Sequence, residues 1–507
     1  MRNASGVLSK FLIVGIIFML MSCSGPGPGL EVSPYADKTK LVTVSLSNGD
    51  FRSLEDALSR GLRNIYIRNG TYYTSNTIAV NSNNVFIEGE SKTGVRIIQR
   101  NPQRDLLYIR GNGVTVKNLT LDTQTYNAQA ALVEAGASNL TIEDNNIYGG
   151  SNTFAVYFAG PPVSPHNGTN FRDETMEVYL ESGTSRYDFS KNNIVINNNI
   201  TSYFIGDGVS FSLQKNGLFQ GNVLDGAMLS VYMDKDCVIK NNTIQNSLQS
   251  GIYLTLPSEK MTITQNSIIR PQFHGIVIKP QYAEHGYQGE NIKSFNINIS
   301  DNLINANVNG ITAEGYDSGH VTWGKFDSLQ IENNLINQFD FAGIWLFNLS
   351  SAQLLGNKIN FELCTTATRG MDINGDGIAD IPQLAGRDSA GIVLYDNLYD
   401  ITILKNSVMK HTRCQDISIA QNAVTISNPG VLNPVIDSIR INENLFINKV
   451  SDWMHSGENY LNTFIFVNHN GGVDLSSFVG SDYAGIDIQD YNFFENVTTE
   501  SNINEIP

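Results

Sequence analysis

Along most of the chain, short runs alternate apolar and polar residues, and a turn motif of the form apolar-x-x-Asn-x-apolar recurs between them. Ile142-Glu-Asp-Asn145-Asn-Ile147, Ile239-Lys-Asn-Asn242-Thr-Ile244 and Ile299-Ser-Asp-Asn302-Leu-Ile304 are examples. A period of two predicts strands whose alternate side chains share one face. The asparagines aligned on this motif are Asn145, Asn199, Asn222, Asn242, Asn266, Asn302, Asn334, Asn357, Asn406 and Asn444, at spacings of 54, 23, 20, 24, 36, 32, 23, 49 and 38. The short spacings set the unit, and the long ones are units with insertions. A further strand that opens with glycine follows several of these turns: Gly208-Val-Ser-Phe, Gly251-Ile-Tyr-Leu, Gly275-Ile-Val-Ile, Gly310-Ile-Thr-Ala and Gly343-Ile-Trp-Leu. Such a unit cannot bury its apolar face alone, so neighbouring units must stack. A coil of 20 to 24 residues with two or three strands and no helix is the unit of a parallel β-helix, an all-β solenoid. Asparagine at the same turn of every coil predicts a ladder of side-chain amides, each bonded to the next.

The chain begins its repeats after Phe51-Arg-Ser-Leu-Glu-Asp-Ala-Leu-Ser-Arg60, an amphipathic helix pattern, and continues through Asn69-Gly70-Thr71-Tyr72 and Val85-Phe-Ile-Glu-Gly89. In these segments and in its repeats it resembles the right-handed parallel β-helix superfamily typified by pectate lyases. The resemblance implies a right-handed solenoid over 41–450 with an N-terminal helical cap and inserted loops. From about Ser451 the repeat is lost, and 451–507 is expected to cap the last coil, protecting an open sheet edge. The same fold carries lyases, hydrolases, epimerases, tailspikes and adhesins, so it does not by itself select an activity.

The N-terminal residues have a different pattern. Arg2 and Lys10 precede an apolar run, Phe11 to Met21, of 11 residues, too short to span a bilayer and suited to a signal-peptide core. Leu20-Met21-Ser22-Cys23 resembles a bacterial lipoprotein cleavage box. Residues 1–22 are therefore expected to be a lipoprotein signal peptide, Cys23 the lipidated residue, and 23–40, with its Gly-Pro repeats, a flexible tether. The expected location is the bacterial cell envelope, with membrane contact through the lipid anchor only. Lys+Arg minus Asp+Glu is 33 − 49 = −16, and loss of Arg2 and Lys10 makes it 31 − 49 = −18. A field of that sign repels nucleic acid and anionic lipid, so both are poor partners; the resemblance implies a polysaccharide or other glycan as partner, and a monomer is expected. Cys237, Cys364 and Cys414 are odd in number, so at least one is a free thiol; Cys237 lies in an apolar strand pattern.

Candidate chemistry falls on the glycine-led strands. If Val209 and Phe211 point inward, Ser210 and Ser212 point out, followed on later coils by Tyr232 and Asp234, Tyr253 and Thr255, Val277 and Lys279, Thr312 and Glu314, Trp345 and Phe347, and Val393 and Tyr395. Tyr232, Tyr253 and Trp345, with Phe347 and Tyr395 beside them, would form an aromatic strip on which sugar rings stack. Insertions at 280–294, 315–327 and 360–389 flank these strands and would wall a groove; a fourth, 160–190, has no assigned side. Asp234, Lys279 and Glu314 are the titratable members. Asp234 and Glu314 lie three coils apart, about 14 Å, beyond the roughly 5–9.5 Å of a glycosidase carboxylate pair. A lyase instead needs a base beside a group that neutralises a uronic carboxylate. Lys279, with His274 nearby as a substrate-binding residue, is the candidate base, and Arg270 and Arg387 are candidate neutralisers. The resemblance implies a Lys or Arg in this role, often with calcium. The expectation is thus a polysaccharide lyase acting on uronic-acid glycans, with a glycoside hydrolase or a non-catalytic glycan-binding or adhesion protein as alternatives.

One local motif stands apart from the repeats. Asp372-Ile-Asn374-Gly-Asp376-Gly377-Ile378-Ala-Asp380 has the spacing of a calcium loop, in which alternate positions of a tight turn direct hard oxygens inward. Asp372, Asn374, Asp376 and Asp380 would ligate through side chains and Ile378 through its carbonyl, in a structural role. Gln383 occupies the position where an EF-hand has Glu.

Overall fold

In the computed structural model, the described residues are 39–448, apart from 125–127, 135, 151–153, 159–188, 203–207, 257, 281–292, 315–324, 338, 340, 362–387, 411–419 and 429–435, together with 465–469, 486–488, 493–495 and 503–506. Cys23, the tether, Cys364, Cys414, Arg387 and the whole 372–380 motif lie outside them.

The chain winds as a right-handed parallel β-helix of three sheets. Each coil contributes one strand to each sheet in turn. Val238–Lys240 belongs to the first sheet, Thr243–Gln245 to the second and Ile252–Leu256 to the third, before Thr262–Thr264 returns to the first. Strands pair in parallel with the equivalent strands one coil before and after. The second sheet has fourteen strands among the described residues, which counts the coils. The first and third sheets join where Ala342–Leu355 and Asp388–Leu404 run unbroken through the corner between them.

Register stacks like residues on one another. Val195, Phe219, Ile239, Ile263 and Ile299 form one inward column of the first sheet, all buried. Ile200, Leu224, Ile244, Ile268 and Ile304 do the same in the second. Burying each such side chain contributes roughly 1.5–3 kcal/mol. At the N-terminal end a helix, Leu54–Ser59, packs on the first coils with Leu54 and Ala57 buried, as the amphipathic pattern predicts. Ser53 caps it, its Oγ accepting from the Asp56 amide at 3.1 Å.

The amide ladder runs along the turn between the first and second sheets. Its rungs are Asn145, Asn198, Asn222, Asn242, Asn266, Asn302, Asn334, Asn357, Asn406 and Asn444, each at most 1% exposed. On every rung both the backbone amide and the side-chain Nδ2 donate to Oδ1 of the next; for Asn242 and Asn266 the distances are 3.0 and 2.9 Å. Nδ2 also donates to a carbonyl of the preceding coil, as Asn266 does to Ile239 at 3.0 Å. The rung expected at Asn199 is in fact Asn198. Val195 is the inward residue of that coil, and the motif's asparagine lies three residues after it; Asn199 instead bonds Asn146 on the exposed side at 3.0 Å. The residue before each rung turns left-handed, with φ between 52° and 65°, even where it is Gln265, Lys405 or Glu443. The ladder thus fixes a backbone shape that these side chains do not favour.

Several third-sheet strands are entered through a corner glycine. A Cβ on Gly275 would lie 2.3 Å from Ile304 Cγ2 and 2.4 Å from the Gly310 carbonyl oxygen, and Gly251, Gly310 and Gly343 stand in the same position on their coils. Glycine is required there by close approach, since each of these sites has φ outside the left-handed region. The described strands within 451–507 continue the stack. Ile465–His469 and Ile503–Ile506 extend the third sheet, Ile486–Ile488 the first and Phe493–Glu495 the second. The repeat persists there in backbone pairing after its turn motif has faded from the sequence.

Candidate functional site

The outward side chains of the three sheets meet different surroundings. In the first and second sheets the strands show a buried central residue between two partly exposed ones, as in Val238–Lys240 and Thr243–Gln245. In the third sheet Val209–Ser212, Leu229–Tyr232 and Asn309–Glu314 are buried at every position. Side chains that point away from the coil interior are therefore out of water as well.

Register arranges these outward side chains in rows along the stack. One row runs Tyr157, Ser210, Ser230, Tyr253, Val277, Thr312, Trp345 and Val393. The next pairs Ser212, Tyr232, Thr255 and Lys279, and continues with Glu314, Phe347 and Tyr395. Lys279 and Glu314 follow the paired residues Ile278 and Ala313, so they occupy adjacent positions on neighbouring coils. His274 precedes the corner glycine of the Lys279 strand.

This placement divides the expected site. The aromatic strip is split: Tyr253 and Trp345 lie in one row, Tyr232, Phe347 and Tyr395 in the other. The reason is register, because Leu229 pairs with Ile252 and so sets Tyr232 opposite Thr255, two positions beyond Tyr253. Nor is the strip an open platform. Trp345 is buried, with Phe341 and Phe347 ring centroids each 5.9 Å away, in an apolar cluster with Val277, Ala342 and Val393. The side-chain surroundings of Tyr395 lie outside the described set. Asp234 falls in the turn after its strand, two residues past Tyr232. It is two coils from Lys279, about 10 Å along the stack before any sideways offset, and three from Glu314. Lys279 and Glu314 are brought together on neighbouring coils, His274 stands at the start of the Lys279 strand, and Asp234 lies at another place.

Around these residues several buried polar atoms make no hydrogen bond: Ser230 Oγ, Thr255 Oγ1, Asp234 Oδ2 and both ring nitrogens of His274. Each such atom costs roughly 1–3 kcal/mol. Burial, and then the positive charge of Lys279, lower the His274 pKa from 6.5 to about 4, so the ring is neutral at pH 7. Burial pushes the Asp234 carboxyl well above the usual carboxylate range, against the opposing effect of the Gln214 amide, which donates to Oδ1 at 2.9 Å. Asn309 fixes the backbone beside His274, with Nδ2 donating to Thr312 Oγ1 at 3.1 Å and Oδ1 accepting from the Ala342 amide at 3.1 Å. Ser230, Thr255 and Asn309 carry no motif, and only the register of the coils reveals their place.

The family model described as a right handed beta helix region matches residues 187–359, which include the Lys279 strand and most of the rows described above. That stretch is a right-handed β-helix. No curated protein matches the chain. Among solved structures it is similar to the A-module of a mannuronan C-5 epimerase from Azotobacter vinelandii, at 10% identity over 88% of this chain and 90% of that one, with a TM-score of 0.43. It is also similar to the catalytic domain of a GH87 alpha-1,3-glucanase in complex with nigerose, at 13% identity over 66% of each chain and a TM-score of 0.39. The Dettilon tailspike protein matches at 11% identity over 87% of this chain and 64% of that one, with a TM-score of 0.41. At these distances the chemistry rests on the side chains of this chain alone.

Among the described residues no group of three or more His, Cys, Asp and Glu is placed to hold a metal. Cys237 is a buried free thiol, as its apolar pattern predicts.

Proposed function

We propose that the protein is a polysaccharide lyase acting on uronic-acid-containing glycans at the outer face of the third sheet. The observation that carries this reading is the buried His274 ring, both of whose nitrogens lack a hydrogen-bond partner and on which the charge of Lys279 acts. In the amide ladder the fold pairs its buried amides rung by rung, so a buried ring with neither nitrogen paired is read as a group kept for a ligand.

β-Elimination needs a proton acceptor and a cation. Lys279, beside the Glu314 carboxylate on the next coil, supplies the cation that offsets the uronic carboxylate and the negative charge gathering on it. Neutral His274, with neither nitrogen engaged, takes the proton from the carbon next to that carboxylate. The electron pair becomes the new carbon–carbon double bond, the glycosidic carbon–oxygen bond breaks, and the departing oxygen receives the proton from the imidazolium. Lys279 was the base expected from sequence; in this reading the neutral His274 ring, with both nitrogens unpartnered, takes that role and Lys279 is the cation.

The test is a panel of polyuronates with absorbance of the unsaturated product as readout. Wild-type protein should release it from at least one polymer, and Lys279→Ala and His274→Gln should each lower the rate about 10²–10⁴-fold with the fold intact. Absence of product from every polymer would remove the lyase reading.

Two further assignments complete it. The loop at 372–380 binds calcium through Asp372, Asn374, Asp376, Asp380 and the Ile378 carbonyl, supported by the hard-oxygen spacing of its sequence; calorimetric titration with calcium that gives no heat would remove it. Cys23 carries lipid and anchors the chain in the bacterial envelope; a palmitate analogue fed to expressing cells should label the protein, and Cys23→Ser should abolish the label.

A further inference from the structure

The net charge of the chain conceals an uneven distribution along the solenoid. Counted as Lys+Arg minus Asp+Glu, residues 39–120 carry 11 − 6 = +5, whereas 121–507 carry 19 − 41 = −22. The basic end also exposes apolar side chains. Among the described residues, Leu41, Leu46 and Tyr73 are the large hydrophobic side chains more than half exposed, at 57, 51 and 52%. All three stand at the N-terminal end of the stack, on or beside the strands Leu41–Val44 and Gly70–Thr74 that open the first and second sheets.

We propose that this end of the solenoid is a docking surface for an anionic lipid headgroup layer, so that the first coils rest against a membrane and the acidic coils stand away from it. The inference rests on the Cys23 anchor only for bringing this end to a bilayer, since the residues from Cys23 to Thr39 span at most about 55 Å. The surface itself is read from residues 39–120.

The apolar and basic groups meet at one place. Leu46, Arg52 and Tyr73 line a single cleft beside the cap helix, with Val44, Ile67 and Ile97 beneath them. Arg52 donates to the Leu46 carbonyl oxygen, and the Arg100 guanidinium carbon lies 3.7 Å from the centroid of the Tyr73 ring. Guanidiniums reach phosphates as bidentate donors, while leucine and tyrosine enter the interface beneath the headgroups. The carboxylates of this end are turned to internal partners. Asp50 accepts from the Thr43 amide at 2.8 Å, Glu55 from the Thr74 hydroxyl, and Asp56 pairs with Arg60 at 3.3 Å. Arg52, Arg100 and Arg104 are exposed, and among the described residues no carboxylate forms an ion pair with them. An anionic polysaccharide, or the acidic coils of a second copy, would meet the same guanidiniums but give no role to two half-exposed leucines. A headgroup layer over hydrocarbon takes both kinds of group.

The experiment is flotation of the full chain carrying Cys23→Ser, which has no lipid of its own, with phosphatidylcholine vesicles containing or lacking about one-third phosphatidylglycerol. Partitioning should rise about tenfold or more with phosphatidylglycerol and fall as salt is added. In that background Arg52→Gln and Arg100→Gln should each weaken it about fivefold. Leu46→Ser should weaken it by a similar factor, about fivefold, through lost apolar contact. Lys358→Gln, exposed on a distant coil, should leave it unchanged. If Arg52→Gln lowers the Tm through its lost bond to Leu46, the exposed positions Arg100 and Leu46 carry the test. Equal partitioning with and without phosphatidylglycerol would overturn the inference, as would phosphatidylglycerol-dependent binding that Arg100→Gln and Leu46→Ser leave intact. Binding to a soluble polyuronate that Arg100→Gln weakens, with no binding to vesicles, would overturn it and give this end to a polysaccharide. Palmitate labelling of the wild-type chain together with no vesicle binding by Cys23→Ser would overturn this inference alone and leave the anchor standing.

Discussion

The turn between the first and second sheets and the outer face of the third sheet both bury polar side chains, and they treat them in opposite ways. At the turn, ten asparagines close on one another: from Asn198 to Asn444 each amide oxygen accepts from the preceding rung, and each amide nitrogen donates to the next rung or to a carbonyl. On the third sheet, Ser230, Thr255, Asp234 and His274 leave atoms unbonded at comparable burial. A satisfied buried network contributes to the fold, while an unsatisfied one costs stability and persists only if something outside the chain completes it. The contrast separates what builds the solenoid from what the solenoid presents.

The contrast can be broken most sharply at a central rung. Asn266→Ala removes four hydrogen bonds and leaves the buried Asn242 backbone amide unpaired. Roughly 4 kcal/mol or more should be lost in urea unfolding. An effect below about 1 kcal/mol would make the ladder incidental. Next in size is the pH response of His274. Its pKa is lowered in the folded state from 6.5 to about 4, so the unfolded chain binds the extra proton first. Stability from this group is complete above pH 6.5, falls as pH drops toward 4 and levels off below, by roughly 3 kcal/mol in all. His274→Gln should flatten that part of the profile relative to wild type. Asp234 has the opposite sign: with its pKa raised, it favours the fold at low pH and loses that contribution as pH rises past the ordinary aspartate range.

Gly275→Ala should cost about 2 kcal/mol by overpacking the corner, read as a lowered Tm. The smallest effect is the most telling. Thr255→Val should change stability by less than about 1 kcal/mol, and in the stabilising direction, because it removes an unpaired hydroxyl and keeps the volume. A clear destabilisation would mean that Thr255 belongs with the ladder and not with the site.

Much of this architecture was legible before any coordinates. The period of two, the recurrent turn asparagine and the helix before the first coil each follow from local rules, and all are present. The slip from Asn198 to Asn199 came from a run of three asparagines, 197–199, which only the inward position of Val195 can separate. Alternation predicted correctly that Lys279, Thr312 and Trp345 point away from the interior. It carries no information on whether an outward side chain meets water, and so it missed the burial of that face. Register across coils of unequal length was likewise beyond it: a shift of two residues moved Tyr232 out of line with Tyr253 and Asp234 away from Lys279. The strands after residue 465 pair without the motif that marks earlier coils, so pattern alone ended the repeat too soon.

The ladder also gives the molecule a grain under load. Among the described residues the strands and ladder rungs of each coil pair with the coil before and the coil after, so tension applied through the two ends is opposed mainly by these neighbour contacts and peels turns from an end in order. Each detached turn lengthens the chain by its own residue count. That is about 70–85 Å for coils whose rungs are 20 to 24 residues apart, and about 185 Å where Asn145 and Asn198 are separated by 53. A force trace would therefore be a readable record of the insertions, with the longest jumps marking the coils that carry them.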